Sequence, residues 1–139
     1  MPVGGKALAD EEAMTMKSAA DVMTKSVVDI HADALVTKAI ERMKERKVSS
    51  LLVRPAEGKH TWGFMTQTDV IEKVIAAGLD PDQVHVREIM SKPVITVAPS
   101  LNLQEISALF ARADIRRVLV FDGEDMVGIV SGSDIFDAL

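Results

Sequence analysis

Cysteine is absent from this 139-residue sequence, which excludes disulfide scaffolds, thiol nucleophiles and thiolate metal sites. Tyrosine is absent as well, tryptophan occurs once, and aromatics make up 4% of the chain. Stacking platforms for single-stranded nucleic acid are therefore scarce. The longest apolar runs, Leu51-Leu52-Val53 and Val118-Leu119-Val120-Phe121, are far short of the roughly 18 residues that a membrane span needs. Met1-Pro2-Val3-Gly4-Gly5-Lys6 lacks an apolar signal core, so export is not expected and a cytoplasmic location is. Positive charge is not in excess: 16 Lys and Arg face 21 Asp and Glu, for a formal charge of −5. That balance disfavours a duplex-wide nucleic-acid footprint. It leaves room for one small anionic ligand held by a few local donors.

Catalytic signatures are missing too. The histidines His31, His60 and His85 form no i, i+4 pair, so no metal site is expected. Ser131-Gly132 follows Gly128 by three residues and does not satisfy Gly-x-Ser-x-Gly. Gly128 to Ser133 lacks the lysine and the spacing of a phosphate-binding glycine loop. With no activated nucleophile, metal cluster or acid–base pair, the chain is not expected to be an enzyme.

What the chain does have is itself, twice. At an offset of 67, Ala20-Asp21-Val22-Met23-Thr24-Lys25 falls on Arg87-Glu88-Ile89-Met90-Ser91-Lys92. Val27-Val28-Asp29-Ile30 falls on Val94-Ile95-Thr96-Val97, and Leu51-Leu52-Val53 on Val118-Leu119-Val120. At an offset of 65, Gly63-Phe64-Met65-Thr66-Gln67-Thr68-Asp69-Val70 falls on Gly128-Ile129-Val130-Ser131-Gly132-Ser133-Asp134-Ile135. The two missing residues lie in the loop from Arg54 to Trp62, where length changes cost little. Two copies of one supersecondary unit follow. Each reads as strand, helix, two strands, helix. The strands run over Val27 to Ile30, Ser50 to Val53 and Thr61 to Met65, and over Val94 to Val97, Arg117 to Phe121 and Met126 to Val130. Val36, Ala39, Ile40 and Met43 have helical i, i+3, i+4, i+7 spacing, with Asp33 as the expected N-cap; Ser100 plays that part in the second copy. The final helices start near Thr68 and Ser133. The expected division is an arm over 1–16, a first domain over 17–78, a linker over 79–86 and a second domain over 87–139. The second domain's last helix should be the shorter, since Leu139 follows soon after Asp134.

The repeated octet is the best candidate for binding. A hydroxyl (Thr66, Ser131) precedes a carboxylate (Asp69, Asp134) by three residues at a helix start. A carboxylate can accept two hydrogen bonds from a vicinal diol, as it does with ribose. The same spacing is also a common capping box, and the residues alone leave both readings open. The doubled octet, each preceded by a hydrophobic strand pair, resembles a tandem of cystathionine-β-synthase (CBS) domains. Asp21-Val22-Met23 and Glu88-Ile89-Met90-Ser91-Lys92-Pro93-Val94 are similar to that family's opening, so the resemblance covers roughly residues 17 to 139.

The resemblance implies an α+β fold of two β-α-β-β-α domains, packed through their sheets with pseudo-two-fold symmetry. It implies AMP, ADP or ATP as ligand, less often S-adenosylmethionine or a dinucleotide such as NAD, and no required cofactor. Asp69 and Asp134 would hold ribose hydroxyls, assisted by Thr66 and Ser131. Ile30, His31, Val48 and Ser49 would wall the cleft served by Asp134; Val97, Ala98, Ile115 and Arg116 would wall the one served by Asp69. Arg116 and Arg117 would face phosphate, where the first copy has Ser49-Ser50, so the clefts are electrostatically unequal and at most one strong site is expected. A non-catalytic regulatory module is implied, forming a homodimer through its amphipathic helices and signalling to a separate effector protein. The alternative is an interaction module whose clefts stay empty.

Overall fold

The computed structural model describes residues 17–91 and 94–139; the expected arm over 1–16 lies outside them. In chain order the elements are α1 (Ala19–Val22), β1 (Asp29–His31), α2 (Val36–Arg46), β2 (Ser50–Arg54), β3 (Gly63–Thr66) and α3 (Gln67–Val70), which runs on as a π-helical turn (Ile71–Ile75). Short 3-10 turns at Pro81–Gln83 and Val86–Glu88 lead to β4 (Thr96–Val97), α4 (Leu103–Ala113), β5 (Arg117–Phe121), β6 (Met126–Ser131) and α5 (Gly132–Asp137). The strands form two three-stranded sheets of the same topology. β1 is parallel to β2, which is antiparallel to β3; β4, β5 and β6 repeat the arrangement.

The contacts divide the chain into two compact units, and the division cuts across the sequence repeat. One unit is Val27–Val94; the other joins residues 17–26 to Ile95–Leu139. In the 27–94 unit, Ile30, Val36, Ala39, Met43, Leu51, Val53, Met65 and Val74 form a buried core. Val84, Val86, Ile89 and Met90 complete it, so the segment read as a linker and the opening of the second copy are core. In the other unit Ala19, from the first copy's opening, joins Val97, Leu103, Ile106, Val118, Val120, Val130 and Ile135. Each copy's opening segment thus packs with the other copy's strands and helices.

The repeated apolar runs mark every strand to within about two residues, whereas the helix starts are corrected. The N-caps are Leu35 and Asn102, not Asp33 and Ser100. Asn102 Oδ1 accepts from the Glu105 N–H at 2.8 Å, while Leu35 has no side-chain acceptor to offer. Asp33 instead receives the Arg87 guanidinium at 2.7 Å. The last helices start at Gln67 and Gly132, with Thr66 and Ser131 as their caps. Both long helices end on a left-handed residue, Lys47 (φ 55°) and Asp114 (φ 52°), which are 67 positions apart.

Candidate functional site

In both units the chain leaves the last strand in extended conformation and turns at once into helix, and the octet is that turn. Thr66 Oγ1 accepts from the Asp69 N–H at 3.2 Å, and Asp69 Oδ2 accepts from the Thr66 N–H at 2.9 Å. Ser131 and Asp134 repeat the exchange at 3.2 and 2.8 Å. Each pair satisfies two backbone donors that a helix start leaves orphaned. The capping reading of the octet is therefore realised in full at both sites.

The second carboxylate oxygens differ. Asp69 Oδ1 lies 3.1 Å from the Lys73 ammonium, which also donates to the Ile89 carbonyl at 2.9 Å. Asp134 Oδ1 accepts from the Thr24 hydroxyl at 3.0 Å. The flanking strands differ as well. The Gln67 N–H donates to the Ser49 carbonyl (3.0 Å) and the Gly132 N–H to the Arg116 carbonyl (3.2 Å). Ser50 stands opposite Thr66 and Arg117 opposite Ser131. Within its own unit, then, the Asp69 box adjoins two serines and the Asp134 box adjoins two arginines.

The residues expected as ligand walls fall into two sets by unit. Ile30 is a core residue of the 27–94 unit, with Val48 packed against that core. His31 is half exposed, and its Nδ1 accepts from the Asp33 N–H at 3.1 Å. In the other unit Val97 is core and Ile115 packs against it, while Ala98 and Arg116 are exposed. The wall assigned to each carboxylate belongs to the unit that does not contain that carboxylate.

The glycine at the head of the octet leaves room for a close approach of another segment. A Cβ on Gly128 would lie 2.6 Å from Met23 Sδ and 3.0 Å from the Thr24 carbonyl; one on Gly63 would lie 2.7 Å from Met90 Sδ and 3.0 Å from the Ser91 carbonyl. The close backbone approach is made by the opening Met-Thr or Met-Ser, which pairs with the octet strand. Thr24 exchanges both backbone hydrogen bonds with Ile129, and Ser91 does so with Phe64.

Four further features were not foreseen. Lys73 stands four residues after Asp69, an acid-to-base helical spacing visible in sequence. Thr24 meets a carboxylate 110 residues away, for which no local signal exists. Two more capping boxes, Ser18 with Asp21 and His85 with Glu88, open the copies: their N–H groups donate to the carboxylates at 2.8 and 2.6 Å. The His85 N–H holds the Glu88 carboxyl below the ordinary glutamate value, aided by the His85 ring. Trp62 packs against Arg54, whose guanidinium lies 5.5 Å from the ring centroid and pairs with Asp29. Among the described residues no three His, Asp or Glu side chains gather as metal ligands, and no helix is long and apolar enough to cross a membrane.

Comparison with known proteins covers most of the chain. The family model of the CBS domain matches residues 19–76 and again 86–139. The CBS domain-containing protein YhcV of Bacillus subtilis is 31% identical over 120 residues, covering 86% of this chain and 84% of its own. An uncharacterized protein of Methanopyrus kandleri, MK0525, is 31% identical over 123 residues, or 88% of this chain, which spans 62% of that protein's length. Among solved structures, a hexameric CBS-CP12 protein from bloom-forming cyanobacteria is 41% identical with a TM-score of 0.74, covering 86% of this chain and 69% of that one.

Proposed function

The chain belongs to the CBS-domain family, in two tandem copies, and we propose that it is a non-catalytic regulatory module that binds an adenine nucleotide at its hydroxyl–carboxylate boxes and reports occupancy to a separate effector protein. The observation that carries this reading is the duplication of the box. A hydroxyl and a carboxylate recur with matching geometry at the end of the third strand of both sheets, in a family of regulatory modules that often bind adenosine ligands. A carboxylate held rigid by its cap is preorganised to accept from a ribose diol. AMP, ADP and ATP are the first ligands to consider. A bound ligand favours whichever conformation binds it better, which is how occupancy becomes a signal.

Self-association accompanies this function. The 27–94 unit carries an open, mostly apolar groove of about 280 Å³ lined by Ile40, Met43, Val70, Ile71 and Ile75 together with Lys44 and Gln67, with Ile71 and Ile75 60% and 57% exposed. In the other unit Phe136 and Leu139 are exposed to a similar degree. Apolar helix faces of this kind suit a second copy of the chain.

A second reading, an interaction module without ligand, is favoured by one observation: both oxygens of each carboxylate already have partners within the fold. Thermal unfolding with millimolar AMP, ADP, ATP, S-adenosylmethionine or NAD separates the two. The regulatory reading expects a rise in Tm that is lost in the Asp69→Ala/Asp134→Ala double variant. No shift with any of the five compounds would leave the interaction module.

A further inference from the structure

The two boxes share their caps but not their second partners. We propose that Lys73 closes the Asp69 box to a diol-bearing ligand, so that Asp134 is the one carboxylate of the chain that an adenine nucleotide can use. This rests on the nucleotide-binding reading above and assigns it to one site.

At Asp69, Oδ2 is committed to the Thr66 N–H and Oδ1 to the Lys73 ammonium. The carboxylate side chain is only 13% exposed, and the ammonium is held by a second acceptor, the Ile89 carbonyl. A diol that took Oδ1 would have to displace a charged donor from a carboxylate that is mostly out of water and leave the Ile89 carbonyl without its donor. Such an exchange is costly because a charge-assisted contact to a poorly hydrated carboxylate gives way to a neutral one. The ligand's two neutral O–H donors do not restore the charge.

At Asp134 the exchange is like for like. Oδ1 has the Thr24 hydroxyl, a neutral donor on an exposed hydrogen bond. A ligand hydroxyl replacing it gives the carboxylate the same kind of partner, and Thr24 can turn to water. The position matching Lys73, 65 residues on, is Ala138; the Lys17 ammonium found there donates to the Ala138 carbonyl, while the hydrogen bond to Asp134 Oδ1 comes from the Thr24 hydroxyl. The strands next to the boxes point the same way. Arg116 and Arg117 adjoin the Asp134 box, where the Asp69 box has Ser49 and Ser50. Guanidinium groups suit the phosphates of a nucleotide, whereas serines supply no charge.

The test is calorimetric titration of the wild type and of Lys73→Met with AMP, ADP and ATP in turn. Lys73 is about half exposed and methionine keeps the apolar stem, so the variant retains the fold, as its unliganded Tm will report. The proposal expects one site per wild-type chain, abolished by Asp134→Ala and unaffected by Asp69→Ala. In Lys73→Met it expects two, the second within about tenfold of the first in affinity and removed by adding Asp69→Ala. Two sites in the wild type, or one site unchanged in Lys73→Met, would overturn the proposal while leaving the nucleotide reading intact. Silence of both proteins towards all three nucleotides would overturn both.

Discussion

A missing methyl group at Gly63 and at Gly128 decides where the opening segments can lie. Gly128→Ala would drive Cβ into Met23 Sδ and Cγ and against the Thr24 carbonyl, and overpacking of this kind costs about 1–3 kcal/mol. Equilibrium urea unfolding should show that loss. Part of it should return in Gly128→Ala/Met23→Ala, because the side-chain clash is relieved while the carbonyl contact remains; strictly additive losses would mean that the two residues do not meet. Lys47 and Asp114 present the opposite case. Both hold positive φ at a helix end, a conformation that costs a non-glycine residue roughly 1 kcal/mol. Lys47→Gly and Asp114→Gly should each therefore gain several tenths of a kcal/mol in the same assay. Acid titration adds a third residue-scale expectation. Backbone N–H donors hold Glu88 and Asp122 below the ordinary carboxylate values. A depressed folded-state value means that their contribution is complete above the unfolded-state value and is lost as pH falls through the folded one. Carboxyl-carbon NMR should find both groups titrating below the ordinary values of their residue types.

At the scale of elements the repeat acts as an internal control. α2 and α4 are eleven residues each, have the same left-handed ending and bury the same stripe, yet only α4 has a capping side chain. Asn102→Ala should cost about 1 kcal/mol, and Leu35→Asn should gain a comparable amount by copying the Asn102 cap. Thermal melts of the two variants against wild type will show shifts of opposite sign. The elements also show what could be read from sequence. Strand positions were legible because short apolar runs report burial locally: Leu51-Leu52-Val53 and Val118-Leu119-Val120 are buried throughout. The boxes were legible because the hydroxyl and the carboxylate are three residues apart. The helix starts were misread by two residues because Asp33 and Ser100 are good caps by type, and Asp33 is drawn instead to Arg87, 54 residues away.

At the scale of the whole molecule, the hidden feature was the exchange of opening segments. Ala19 to Thr24 read as part of the first copy, and by the 67-residue repeat they are; their burial and pairing partners are Leu103, Ile106 and Ile129. No periodicity reports such a choice, since either copy would present the same edge to the same sequence pattern. The same exchange brings Thr24 to Asp134, so part of the candidate site was beyond reach of any local motif. Occupancy of that site should stabilise the chain by about 2.7 kcal/mol at a ligand concentration of 100 Kd. The central claim is that a carboxylate of the octet holds a ribose diol, and the removal of that diol tests it most directly. The measurement is the affinity of the wild-type chain for ATP beside that for 2′,3′-dideoxy-ATP. Loss of both hydroxyls should weaken binding at least tenfold, with no further loss when Asp134→Ala meets the dideoxy nucleotide. Equal affinity for the two nucleotides would contradict the claim.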